Sequence, residues 1–133
     1  MGDSLFTTSF WSRYTQQRIT APLAASDSEK FGKILLQTLE RSPETVLLPM
    51  EDATLNWVGA HIEELKHLNC HALVPDLESI QIAQDKGKTL ALAQDIGIPF
   101  PKTWEPKTAE EFAKTLRQLA PGKFIVKPRT ATG

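Results

Sequence analysis

The chain has 133 residues, 41% of them hydrophobic, and its 15 basic and 16 acidic residues leave a net charge of -1. That length supports a genuine core, and no block of like charge suits a phosphate backbone or an anionic lipid surface, so neither nucleic acid nor membrane is an expected partner. The single cysteine, Cys70, cannot close an internal disulfide, the first residues lack the basic head and apolar core of a secretory leader, and no apolar run approaches the roughly 20 residues of a membrane span; the expected location is cytoplasmic.

Leu5 to Tyr14 follows neither the helical nor the strand period, and a short strand followed by loop is assigned there. Ser26-Asp27-Ser28-Glu29 has capping-box spacing, and Phe31, Ile34, Leu35 and Leu39 then share one helical face up to a break at Ser42-Pro43. Thr45-Val46-Leu47-Leu48-Pro49 is a continuous apolar run that suits a strand covered on both faces. Asp52 is placed to cap a helix carrying Leu55, Val58, Ile62 and Leu65, with Asn69 ending it, and Ala72-Leu73-Val74 follows as a second strand. Strand, helix and strand with short connections predict a parallel α/β sheet.

Asp76 can cap a short helix through Ile80 and Ala83, and Asp85 a second one carrying Leu90, Ala93 and Ile96 and stopping at Gly97. The prolines of "GIPFPKTW" force an extended connector between two structural units. Thr108-Ala109-Glu110-Glu111 is another capping box, before a helix with Phe112, Leu116 and Leu119 on one face. Pro121-Gly122 then turns the chain into a closing strand, Phe124-Ile125-Val126-Lys127.

Chemistry centres on two lysines. Lys127 ends its strand because Pro128 removes a ladder donor, and the small residues beyond it offer backbone N–H groups suited to phosphate oxygens. The competing reading is a lysine extending its stem over the sheet edge to water. Lys86 stands with Lys88 in a first helical turn, where the macrodipole opposes a cation; a nearby anion would relieve that, and Asp85 alone can supply it.

His67, Cys70 and His71 lack a fourth ligand, so two surface histidines and a buried thiol are expected rather than a metal. Glu63 and Glu64 point about 100° apart on a helix and cannot pair as acid and base. Trp11, Trp57 and Trp104 have no basic groove beside them and read as core or connector aromatics. No catalytic residue is assigned.

With these positions fixed, "DKGKTLALAQDIGIPFPKTW", a capped helix and "GKFIVKPRTATG" together resemble the opening of an ATP-grasp ligase domain, nearest to carbamoyl phosphate synthase large subunits and related carboxylate-amine ligases. "VLLPMED", the helix from Ala53 to Leu68 and "ALVPDLESIQIAQDK" resemble the Rossmann-like domain that precedes it. The resemblance implies a pre-ATP-grasp domain over residues 1–84, without a counterpart of the family's first strand and helix, and the start of an ATP-grasp domain over 85–133. It implies Lys86 and Lys127 as phosphate contacts and Thr130, Thr132 and Gly133 as the beginning of a loop closing over the phosphates. ATP and magnesium would serve the intact enzyme, which joins a small carboxylate to an amine through an acylphosphate.

The metal ligands and the second wall of the cleft have no match here. This stretch is therefore expected to be an inactive N-terminal fragment that binds nucleotide weakly and dimerises through an uncovered sheet edge. Arg13 and Asp52 are further candidates for the upstream domain's contribution to a site, each with an ordinary explanation in an aromatic contact and a helix cap. Two other readings stand beside the ligase: a free-standing Rossmann-like module that binds a ligand or protein, and one subunit of a split ligase.

Overall fold

The structure is a computed structural model describing residues 1–42, 44–119, 122 and 124–130. Pro43, Pro121, Thr132 and Gly133, which figure in the sequence reading, lie outside the described residues. The chain divides into two compact units, Met1–Ile80 and Gln81–Gly133.

The first unit is of mixed α/β type. Residues 1–20 carry a parallel bridge between Gly2 and Thr20 and a 3₁₀ turn, Thr8–Trp11, that buries Phe10, in place of the expected short strand. Helix α1, Ser28–Glu40, is capped by Asp27, whose side chain accepts from the Lys30 amide. The cap therefore falls one residue later than capping-box spacing placed it, since Ser26 spends its hydroxyl on the Leu23 carbonyl. Phe31, Leu35 and Leu39 form the buried face of α1, with Ile34 half-buried beside them.

Strands β1, Val46–Leu47, and β2, His71–Ala72, pair in parallel with Val46 opposite His71 and Leu47 opposite Ala72. β2 thus begins one residue before the predicted strand and stops two residues short of Val74. Between β1 and β2 run α2, Asp52–Ala60, and α3, Ile62–His67, separated at His61 where a single helix was expected. The His61 ring stacks on Trp57 at 4.0 Å, and its Nδ1 lies 2.8 Å from the Trp57 carbonyl, which tightens the turn at which the helix breaks.

Glu51, not Asp52, occupies the N-cap of α2. It makes no side-chain cap bond, and Asp52 is already the first helical residue. α3 ends as predicted: Asn69 adopts a left-handed conformation (φ 52°), the Asn69 amide donates to the Lys66 carbonyl and the Cys70 amide to the Leu65 carbonyl, a Schellman closure.

One core cluster joins α1, α2 and α3 through Ala24, Phe31, Leu35, Leu39, Trp57, Val58, Leu65 and Cys70, and Leu47, Ala72 and Val74 pack against it. Helices thus cover one face of the sheet. The opposite face is open, because Val46 (58% exposed) and, just after the strands, Leu48 and Leu73 face outward. The expected burial of β1 on both faces is corrected accordingly: among the described residues the apolar run has a helical layer on one side only.

α4, Leu77–Gln84, is capped by Asp76, which accepts from the amide and hydroxyl of Ser79. In the second unit, α5, Lys86–Asp95, ends at Gly97 (φ 73°) with a second Schellman closure, the Gly97 amide donating to Gln94 and the Ile98 amide to Ala93. The segment with Pro99 and Pro101 has no regular secondary structure, and it lies inside this unit and does not join the two. α6, Ala109–Gln118, is capped by Thr108, which accepts from the Glu111 amide; Glu111 reaches back to the amide of Lys107, one residue earlier than a complete capping box requires. Among the described residues, no helix is long and apolar enough to cross a membrane.

Phe124 to Lys127 is not a strand. No ladder pairs it among the described residues, and Ile125 is 82% exposed. An apolar run gains strand geometry only from a neighbour that accepts its hydrogen bonds, and the two-stranded sheet belongs to the first unit.

Candidate functional site

Of the residues singled out in the second unit, Asp85 and Lys86 stand at the start of α5, where Arg129 meets them. Asp85 is extended (φ -99°, ψ 107°), and one of its oxygens, Oδ1, accepts from the Gly87 amide at 2.9 Å and the Lys88 amide at 3.1 Å, satisfying two of the orphan donors of the helix. Lys86 is therefore the first helical residue, as expected, and its side chain is half-buried. Its own amide donates to the carbonyl of Arg129 at 3.2 Å.

Arg129 is the residue that organises this place. Its Nε donates to both oxygens of Asp85, at 2.9 and 3.1 Å, and its Nη1 donates to Glu105 Oε2 at 3.3 Å. The guanidinium lies close over Gly87: a Cβ added there would sit 2.7 Å from Arg129 Nη2 and from Glu105 Oε2. Burial pushes the Asp85 carboxyl up, but the hydrogen bonds from Lys88, Arg129 and Gly87 and the arginine charge outweigh it, holding the group below its ordinary value.

The arrangement brings two lysine-bearing stretches together. Lys127 is two residues before Arg129, so the two Cα atoms are at most about 7.6 Å apart by chain geometry, and Arg129 is bonded to Lys86 through its carbonyl. Lys127 itself is exposed and makes no ion pair with another described residue. The carboxylate partners at this end of α5 belong to Arg129. Thr130 is exposed in the bend that follows, whereas Thr132 and Gly133 lie outside the described residues. Lys86, Lys88 and Arg129 stand at this end of α5, and Lys127 two residues from Arg129, four cations against the two carboxylates of Asp85 and Glu105.

Sequence reading missed Arg129 and Glu105. Neither carries a local signal, because Arg129 stands 44 residues from Asp85 and 24 from Glu105, and only the fold joins them. The remaining candidates have ordinary surroundings. Arg13 lies over the Tyr14 ring at 4.7 Å and donates to its hydroxyl. Asp52 is the half-buried first residue of α2. Trp57 is a core aromatic, as expected, whereas Trp11 is 68% exposed with Arg18 over its ring and Trp104 carries Lys102 at 5.0 Å.

His67 and His71 are exposed and Cys70 is buried, where desolvation pushes its thiol up. No group of three His, Cys, Asp or Glu that could hold a metal occurs among the described residues. A shallow cleft of about 240 Å³ is lined by Trp104, Glu105, Glu111 and Lys114 among others, and includes neither Lys86 nor Lys127. Compared with known proteins, the chain matches no protein-family model and no curated protein.

Proposed function

We propose that the chain forms the N-terminal part of a cytoplasmic ATP-dependent carboxylate-amine ligase of the ATP-grasp type, with a Rossmann-like unit preceding the first part of the nucleotide-binding domain. The observation that carries this reading is the hydrogen bond from the Lys86 amide to the Arg129 carbonyl, which draws the Lys127 segment to the start of α5. Four cations against two carboxylates suit a polyphosphate, and the parallel β1–α2–α3–β2 order suits the domain expected upstream.

ATP, when bound, supplies the terminal phosphate that activates a carboxylate toward an amine. Lys86 and Lys127 offset phosphate charge, and Thr130, with Thr132 and Gly133 after it, lends donors to the same oxygens. Magnesium finds no donor set among the described residues, so no step through it is assigned to them. The chain alone binds nucleotide weakly and does not turn over. The open sheet supplies the other partner of this reading, a second copy paired through an uncovered edge.

Titrating the chain with ATP while following backbone amide resonances tests the site. Shifts confined to Lys86, Gly87, Lys127 and Thr130, and lost in the double variant Lys86→Ala, Lys127→Ala, support it. Shifts that persist in that variant, or that fall on the first unit, overturn it.

A further inference from the structure

Arg129 contributes more than charge to this end of α5. A single guanidinium reaches two carboxylates from separate parts of the unit: Asp85, which caps α5, and Glu105, in the segment before α6. Its backbone carbonyl accepts from Lys86 at the same place. Position 87 is a glycine, and the space its missing side chain leaves is where Arg129 Nη2 and Glu105 Oε2 lie. The stretch from Phe124 to Pro128, by contrast, has no ladder among the described residues and is exposed throughout. The polar contacts that hold residues 124–130 to the rest of the unit, among the described residues, are those made by Arg129.

The geometry points to a charge latch: Arg129, clasped by Asp85 and Glu105 over Gly87, docks the 124–130 segment on the start of α5, and releasing the guanidinium frees the segment while leaving the helix capped. The two roles share an acceptor but not their donors, since the cap amides belong to α5 and the guanidinium to the segment. Asp85 Oδ1 serves the cap amides and Arg129 Nε together, so losing the arginine leaves the cap bonds to Gly87 and Lys88 in place. The Arg129 side chain is 53% exposed, which makes the latch sensitive to salt and weak enough to open. This inference does not rest on the ligase reading; it concerns how the segment is held, whatever it binds.

Solvent exchange of individual backbone amides, measured by NMR, tests it because each half of the device has its own reporter. The Lys86 amide reports docking, since its acceptor is the Arg129 carbonyl; the Gly87 and Lys88 amides report the Asp85 cap. At low ionic strength Arg129→Gln is expected to speed exchange at Lys86 by about threefold or more, the range open to a half-exposed charge pair, while Gly87 and Lys88 change less than twofold. Glu105→Gln gives an intermediate effect at Lys86. Raising salt to about 1 M, where the screening length is roughly 3 Å, brings the unaltered chain to the rate of Arg129→Gln. Lys86 exchange that is the same in the unaltered chain and in Arg129→Gln overturns the latch. So does acceleration that spreads equally to Gly87 and Lys88, which would mean that the arginine holds the helix start and not the segment.

Discussion

Gly32 is where α1 meets the Trp57 ring with no space to spare. A Cβ at this position would fall well inside contact distance of Cζ2 and 2.8 Å from Cε2 of the indole. The ring is held in place, because Phe31 meets it edge-on at 5.6 Å and His61 stacks on it at 4.0 Å. Gly59 offers a contrast: a Cβ there meets first only the Ile80 Cδ1 methyl at 2.9 Å, the end of a flexible side chain. Both glycines are helical, and alanine gains up to about 1 kcal/mol in helix propensity at either. Overpacking against a held ring costs about 1–3 kcal/mol, and against a movable methyl less. Gly32→Ala is therefore expected to lower the urea midpoint and Gly59→Ala to leave it level or raise it; equal shifts in the two variants would dismiss the account.

The carboxyl of Asp85 supplies a second test at the same scale. Its folded-state value lies below the ordinary aspartate value of 3.8, so its contribution is complete above that value and is lost as pH falls through the lower, folded one. The Gly87 and Lys88 amide resonances, which report the cap, should titrate with a midpoint below 3.8, and Asp85→Asn should remove the transition. A midpoint at or above 3.8 would mean that the cap and arginine bonds do not prevail over desolvation.

Helices were legible in this chain because their ends are written in neighbouring residues. Asp76, Asp85 and Thr108 cap as their positions suggested, and Asn69 and Gly97 close α3 and α5 in the left-handed conformation that their residue types tolerate. Where two capping residues competed, as Ser26 and Asp27 did, local spacing could not choose, since the outcome turned on the Ser26 bond to Leu23. Strands fared worse. "FIVK" reads as well as "VLL" in isolation, yet among the described residues only the latter has a partner, and partnership is a property of another stretch of chain. The same holds for the site: Lys86 and Asp85 could be read from their helix start, whereas Arg129 and Glu105 became visible only through contacts spanning dozens of residues.

The two Schellman closures make a prediction at this scale. A Cβ at Gly97 meets nothing within 4 Å, so Gly97→Ala isolates the backbone penalty of a positive φ, about 1 kcal/mol. Asn69 already carries a Cβ at φ 52°, so Asn69→Gly should be neutral or stabilising and Asn69→Ala should cost stability, both read from thermal unfolding. A stabilising Gly97→Ala would show that the turn is not held in the left-handed region in solution.

The two units differ in what holds them. Among the described residues, the buried hydrophobic ones, from Phe10 to Ile80, all belong to the first unit. In the second, among the described residues, the apolar face of α6 remains over a third exposed at Phe112 and Leu116, and Ile125 and Val126 are open to solvent. Helix caps, the Schellman turn at Gly97 and the Arg129 contacts then carry the second unit, and each is worth about a kilocalorie or less at a surface, whereas a buried Leu or Phe contributes about 1.5–3 kcal/mol. Urea should consequently unfold the chain in two steps, the second unit first. Trp57 reports the first unit from within its core, and Trp104 the second from its surface. With Trp11 replaced by Phe, the Trp104→Phe variant should show a fluorescence transition at higher urea than the Trp57→Phe variant, and helical circular dichroism should begin to fall before the former moves. Coincidence of all three curves would require the 81–133 stretch to draw its stability from burial that its described side chains do not provide.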